Sequence, residues 1–184
     1  MRNSAMAPAR PKVYVFDLDN CCWLPEMYQL WGGGGAPFTG PDAKNELRDV
    51  AGTRVHLLGN VAEIWGKLHA DNEIVAVASR SDEPTWAREC LKKFKVDAAG
   101  TSMMDVVTEG RCEIYKGSKV IHLRKIAEKT NVALEDMVFF DDDAQNIRDV
   151  AAIGVTSIFT PDGEGVTFEA LEKARAAFAQ KHTP

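Results

Sequence analysis

The chain has 184 residues, enough for one domain with a full-sized core, and its 22 basic and 27 acidic residues leave a net charge of −5. No basic surplus exists to neutralise phosphates, which argues against nucleic acid or an anionic membrane as a partner. No apolar run approaches the roughly 20 residues of a membrane span.

Met1–Arg10 holds two arginines and no acid. It is short, lacks an amphipathic repeat and is followed by no signal-peptide core, so it reads as a disordered tail rather than a transit peptide, ahead of a single domain over 11–180. Val13–Phe16 is a run of four β-prone residues, the pattern of a strand buried on both faces. It ends in Asp17-Leu18-Asp19. In extended chain, alternate residues share a side, so Asp17 and Asp19 face one way and Leu18 the other. Two such carboxylates at ~4 Å and an effective dielectric of about 20 repel by roughly 4 kcal/mol. A chain that keeps both uses them on a divalent cation, a shared proton, or both.

Residues 23–58 form a loop-rich insertion with Trp23, Tyr28, Trp31, four consecutive glycines (Gly32–Gly35) and several prolines. It reads either as a long loop packed on the core or as a small cap or flap over a site, with Val55–Leu58 as one strand of a hairpin. Asn60 is placed to cap a helix with Val61, Ile64, Trp65 and Leu68 on one face. Ile74–Ala78 is the next buried strand, ending in Ser79-Arg80-Ser81-Asp82, and a helix runs from about Pro84 to Phe94. Asp97–Gly110 reads as a short strand and a loop, and Glu113–Tyr115 as a brief strand. Lys119 opens a helix with Val120, Leu123 and Ile126 or Ala127 inward. Met137–Phe140 is a strand ending in Asp141-Asp142-Asp143, followed by a helix closed by Gly154. Val155–Phe159 is the last strand, and a final helix over about 167–180 buries Phe168, Leu171, Ala174 and Phe178.

Alternating strands and helices predict a doubly wound, Rossmann-like α/β fold: a parallel sheet with helices on both faces and the small cap after the first strand. Ligands of such sheets sit at the carboxyl ends of the strands. Three strand ends carry polar residues: Asp17 with Asp19, Ser79 with Arg80, and Asp141–Asp143. Lys119 at a helix start is a fourth candidate. Neither a G-x-G-x-x-G fingerprint nor a Walker loop is present. Cys21, Cys22, Cys90 and Cys112 match no zinc spacing and read as reduced thiols, which implies a cytoplasmic or similarly reducing compartment. His56, His69, His122 and His182 form no ligand cluster in sequence.

Oxygen ligands without histidine or cysteine suit a hard cation, magnesium above all. A cation, a lysine, an arginine and a serine hydroxyl at one rim suit a phosphoryl group. Phosphate-monoester hydrolysis can be split through an aspartyl-phosphate, which needs a nucleophilic Asp and a second acid/base; the Asp17/Asp19 pair supplies both. The residues alone do not choose among Asp141, Asp142 and Asp143.

Asp17-Leu18-Asp19, Ser79, Lys119 and Phe139-Phe140-Asp141-Asp142, in this order, resemble the four motifs of the haloacid dehalogenase superfamily of phosphatases. Ala78-Ser79-Arg80, Glu113-Ile114-Tyr115 with Gly117-Ser118-Lys119, and the Phe-Phe-Asp-Asp run are similar to its magnesium-dependent phosphatase family. The resemblance spans about 11–178. It implies Asp17 as nucleophile and metal ligand, Asp19 as acid/base and ligand through its carbonyl, and Asp142 as third protein ligand. It further implies that Ser79, Lys119 and the Leu18 amide hold the phosphate, and that Arg80 touches substrate. Family members are associated with phosphotyrosine and with sugar phosphates, glycated ones included, so a phosphorylated small molecule or phosphotyrosine is the implied substrate.

The chain departs from the family's pattern in three places. Cys21 stands where the superfamily usually has threonine, whose hydroxyl can bond the acid/base; a thiol does so weakly. Lys116 replaces a common proline, and the glycine run lengthens or loosens the flap. A signalling receiver domain is the main alternative, but it would carry its acidic pair at the first strand and its acceptor Asp later. A phosphate-binding module without turnover and a phosphomutase are further alternatives.

Overall fold

The computed structural model describes residues 9–183, so most of the expected N-terminal tail lies outside the described residues. Five strands form one parallel sheet: β1 (Val13–Phe16), β5 (Ile74–Ser79), β6 (Cys112–Ile114), β7 (Met137–Asp141) and β8 (Thr156–Phe159). Their order is β6-β5-β1-β7-β8. The chain builds outward from β1 on one side, then crosses to build on the other. This order places the ends of β5 and β7 on either side of Asp17, where a doubly wound sheet opens to ligands.

The sheet's two faces follow the strand period of two. Tyr14, Phe16, Val75, Val77, Val138 and Phe140 pack with residues of α1 (Val61–Ala70), α2 (Pro84–Lys93), α3 (Met103–Val107) and α6 (Phe168–Lys181). Val13, Val15, Ala76, Ala78, Met137 and Phe139 pack with α4 (Lys119–Thr130) and α5 (Ala144–Ala152). Phe16 holds the first layer together, 5.2 Å from the Trp65 ring and 5.0 Å from Phe140. No helix of the described residues is long and apolar enough to cross a membrane.

A second, three-stranded antiparallel sheet lies between β1 and α1 in the chain: β2 (Trp23–Leu24), β3 (Leu47–Arg48) and β4 (Arg54–Leu57), in the order β2-β4-β3. Its Trp23, Leu47 and Val55 join the same core as α1 and α2, and the Trp23 and Phe94 rings stack at 6.0 Å. The glycine run is not slack. A Cβ on Gly34 would lie 2.1 Å from Asp49 Oδ2 and 2.8 Å from the Leu30 carbonyl, and one on Gly35 would strike the Trp86 ring at 2.2 Å. Asp49 is buried and accepts the N–H groups of Gly35 (2.9 Å), Ala51 (3.0 Å) and Thr53 (2.7 Å). Burial pushes its carboxyl up, but these donors outweigh it and hold the group below the usual carboxylate range. Within the run, Gly32 and Gly33 alone have open space around them.

The segment after β8 brackets both stems of this small sheet. The Gly163 N–H donates to Asn20 Oδ1 at 3.0 Å. At the other stem, the Asn60 N–H donates to the Val166 carbonyl at 2.9 Å, and a Cβ on Gly165 would lie 2.3 Å from Leu58 Cβ.

Four local readings need correction. Residues 103–107 are helical rather than strand and loop: Ser102 and Asp105 form a capping box, a start signal that outweighs the segment's short length. Asn60 holds the N-cap position but its side chain does not cap; Oδ1 accepts from the Phe168 N–H at 3.3 Å. Phe168 is 43% exposed. It is the first residue of α6, and helical side chains lean toward the N-terminus, past the end of the packed face. Val120 is only half-buried; the buried positions of α4 are Lys119, His122, Leu123 and Ile126. Gly154, with φ +96°, follows α5 as expected.

Candidate active site

At the carboxyl end of the parallel sheet a cavity of about 380 Å³ is lined by Asp17, Asp19, Ser79, Arg80, Lys119 and Asp142. Of the candidate site residues, Leu18 and Asp141 are outside its wall, both fully buried; the Leu18 amide makes no hydrogen bond among the described residues.

Asp17 continues β1, with its own N–H donating to the Phe140 carbonyl at 3.0 Å, so its backbone is fixed between two strands. The buried Lys119 ammonium reaches under it from the first turn of α4. It donates to Asp17 Oδ1 at 2.5 Å and to the Ala78 carbonyl at 2.6 Å, and lies 3.0 Å from Asp141 Oδ2. Burial pushes the Asp17 carboxyl up to about 8; Lys119 opposes this, while Asp141 and Asp19 add to it. Burial alone would push Lys119 toward its neutral form, but Asp17 and Asp141 outweigh it and hold the ammonium above its usual range.

Asp19 differs in its surroundings. Its Oδ1 accepts the Trp23 indole N–H at 2.8 Å and the Met27 N–H at 3.3 Å. Burial raises its pKa against those donors. Cys21 plays no part here: its thiol donates to the Phe140 carbonyl and accepts from the Thr160 hydroxyl, both at 3.6 Å. The expected weak bond from position 21 to the acid/base is absent, because Trp23 and Met27 hold that carboxylate instead.

The three consecutive aspartates divide. Asp143 is the N-cap of α5, accepting from the Gln145 N–H at 2.7 Å. Asp141 is fully buried between Lys119 and the Asn146 amide, whose Nδ2 lies 3.0 and 3.2 Å from its two oxygens. Asp142 is half-buried and accepts from Asn20 Nδ2 at 2.8 Å; burial raises its pKa, with Asn20 opposing. Asp17, Asp141 and Asp142 each place a carboxylate oxygen within 4.8 Å of the others. All donors are oxygen, the set a magnesium ion prefers. Three carboxylates around one ammonium leave an excess of negative charge that a divalent cation would offset, so the residues fit such an ion.

Ser79 ends β5 with its Oγ accepting the Ser81 N–H at 3.2 Å. Arg80 is exposed on the wall and makes no hydrogen bond or ion pair among the described residues. The cavity also exposes Tyr28 and Lys116, together with Glu26 and Asn146, which the sequence did not single out. Lys116, at the position of the family's proline, pairs with Asp82 across the mouth. All four cysteines are buried and free. His122 is buried against Tyr115, with Nε2 3.1 Å from the Tyr115 carbonyl; burial and then Lys119 lower its pKa to about 4.

A family model described as Acid Phosphatase matches residues 9–181. Human magnesium-dependent phosphatase 1 is 31% identical over 173 residues, covering 94% of this chain and 90% of the relative. A haloacid dehalogenase-like hydrolase superfamily protein of Schizosaccharomyces pombe is 30% identical over 149 residues, covering 79% of this chain and 83% of the relative. Among solved structures, the N-terminal part of a Bacteroides fragilis protein containing a phosphatase domain, complexed with Mg, aligns with a TM-score of 0.61 and 22% identity. That alignment covers 90% of this chain and 40% of the other. The chain therefore belongs to the acid phosphatase family of haloacid dehalogenase-like phosphatases and is similar to the magnesium-dependent phosphatases among them.

Proposed function

We propose that the protein is a magnesium-dependent phosphoric monoester hydrolase that works through an aspartyl-phosphate on Asp17. The observation that carries this reading is the junction of Asp17, Lys119, Asp141 and Asp142 at one rim, with Ser79 and Asp19 on the same cavity. Asp17, Asp142 and the Asp19 carbonyl hold the cation in this reading. Asp142 suits the task better than Asp141, whose oxygens are already engaged by Lys119 and Asn146. The bound cation would screen the Asp17 carboxylate from the incoming phosphate and neutralise charge on its oxygens.

Asp17 attacks phosphorus, and the bond to the ester oxygen breaks. Asp19 gives that oxygen a proton, so an alcohol leaves. Asp19 then accepts a proton from water as the water oxygen attacks phosphorus; the Asp17–phosphorus link breaks and inorganic phosphate departs. Ser79, Lys119 and the Leu18 amide hold the transferring oxygens, and Arg80 contacts the rest of the substrate. Trp23 and Met27 keep one oxygen of Asp19 occupied, leaving the other for the proton. The small sheet over 23–58 serves as the cap. The substrate is read as phosphotyrosine or a sugar phosphate, fructosamine phosphates included; Tyr28 and Arg80 offer an aromatic face and a cation to the leaving group. The compartment is read as cytoplasmic, from the four free thiols.

Hydrolysis of p-nitrophenyl phosphate is expected to require Mg²⁺, to stop with EDTA, and to fall on the order of 10³-fold or more in Asp17→Asn. Full activity in that variant would remove Asp17 as nucleophile. A screen over phosphotyrosine peptides, hexose phosphates and fructosamine phosphates ranks the leaving groups; failure on all of them would favour a binding module.

A further inference from the structure

Asn20 follows Asp19 directly and takes the left-handed conformation, φ +60°. Asparagine enters that region more readily than most residues, and here the turn aims its amide between two acidic loops. Nδ2 donates to Asp142 Oδ2 at 2.8 Å and to Asp162 Oδ1 at 2.9 Å, while Oδ1 accepts the Gly163 N–H at 3.0 Å. The reverse amide orientation would set a carbonyl oxygen against two carboxylates and an NH₂ against an N–H, so the surroundings settle which end is which. Both amide hydrogens and the carbonyl are used, across 122, 142 and 143 positions of sequence.

We propose that Asn20 is a positioning residue for the cation: it fixes the carboxylate of Asp142 and ties it to the loop at 162–163. This rests on the reading of Asp142 as a cation ligand. Asp142 sits at the start of a turn, half-buried, and Asn20 is the only side chain that donates to it among the described residues. Without that donor the carboxylate can rotate away from Asp17, and Asp162 is released beside it as an unpaired negative charge. Groups that orient a ligating carboxylate change metal affinity by about 10–100-fold when removed.

The test is direct Mg²⁺ binding by isothermal titration calorimetry on substrate-free protein, with a thermal melt in EDTA. Asn20→Gly keeps the left-handed backbone and deletes only the amide. It is expected to weaken Mg²⁺ binding about 10-fold or more, with a single cooperative EDTA melt showing that the variant is folded. If Asn20→Gly does not fold, Asn20→Ser, too short to reach both acids, carries the same expectation. Asp142→Asn separates the two readings. Unchanged Mg²⁺ affinity in Asp142→Asn overturns the ligand assignment and the Asn20 role with it. Weakened binding in Asp142→Asn with wild-type affinity in the Asn20 variant overturns the Asn20 role alone.

Discussion

The rim of the parallel sheet and the small antiparallel sheet beside it are built on opposite terms. At the rim, charge is concentrated where water is scarce: Lys119 is 2% exposed and faces two carboxylates. In the small sheet, the two-residue strands β2 and β3 contribute few ladder bonds. Order there comes from glycines with no room for a Cβ and from one buried aspartate collecting three backbone N–H groups. The first region stores electrostatic energy that only ligands can balance; the second stores shape. Substitutions at the rim should therefore act on turnover, and substitutions in the small sheet away from Trp23, which bonds Asp19, on stability.

After Asp17→Asn, the largest effect is expected at Lys119. Lys119→Met removes the ammonium but keeps the side-chain bulk, leaving Asp17 and Asp141 without a buried cation. A lost electrostatic partner of this kind typically costs about 10²–10³-fold in turnover, to be read as kcat/KM on p-nitrophenyl phosphate. A loss under about threefold would place Lys119 outside the chemistry and make the rim a structural ion cluster.

Next comes Gly34→Ala, which drives a methyl group against Asp49 and the Leu30 carbonyl. Overpacking costs about 1–3 kcal/mol, expected as a lower urea midpoint. A change under about 0.5 kcal/mol would restore the loose flap that four consecutive glycines suggest. The smallest effect is expected from Phe168→Gln, within about 0.5 kcal/mol because the ring is already half in water. A loss of several kcal/mol would show the ring buried at the helix start after all.

The rim was legible because its signals are local. Val13–Phe16, Ile74–Ala78 and Met137–Phe140 are uninterrupted apolar runs, and each ends where polarity begins. The sheet order then brings three separate strand ends to one place. What stayed hidden depends on partners distant in sequence. Nothing near Asn20 announces that its amide meets Asp142 and Asp162, and nothing near Asn146 announces its grip on Asp141, although Asn146 lies in the first turn of the helix that follows. The glycine run showed its freedom but not its confinement, since Asp49 and Trp86 are supplied from elsewhere in the chain. Cys21 misled for the same reason. Its distance from Asp19 in sequence is two residues, yet the hydrogen bonds to that carboxylate come from Trp23 and Met27.

The segment after β8 grips the chain at Asn20, where the small sheet departs, and at Leu58–Asn60, where the chain returns to α1. Between these grips, Trp23, Leu47 and Val55 anchor the segment in the main core and Trp23 and Met27 hold Asp19, so the part free to vary is the open turn at Gly32–Gly33. Doubling the length of a flexible loop between fixed ends costs only about 0.6 kcal/mol in closure entropy. A longer turn at Gly32–Gly33 would leave Asp17, Asp19, Ser79 and Lys119 where they stand, which makes that turn the place to graft specificity.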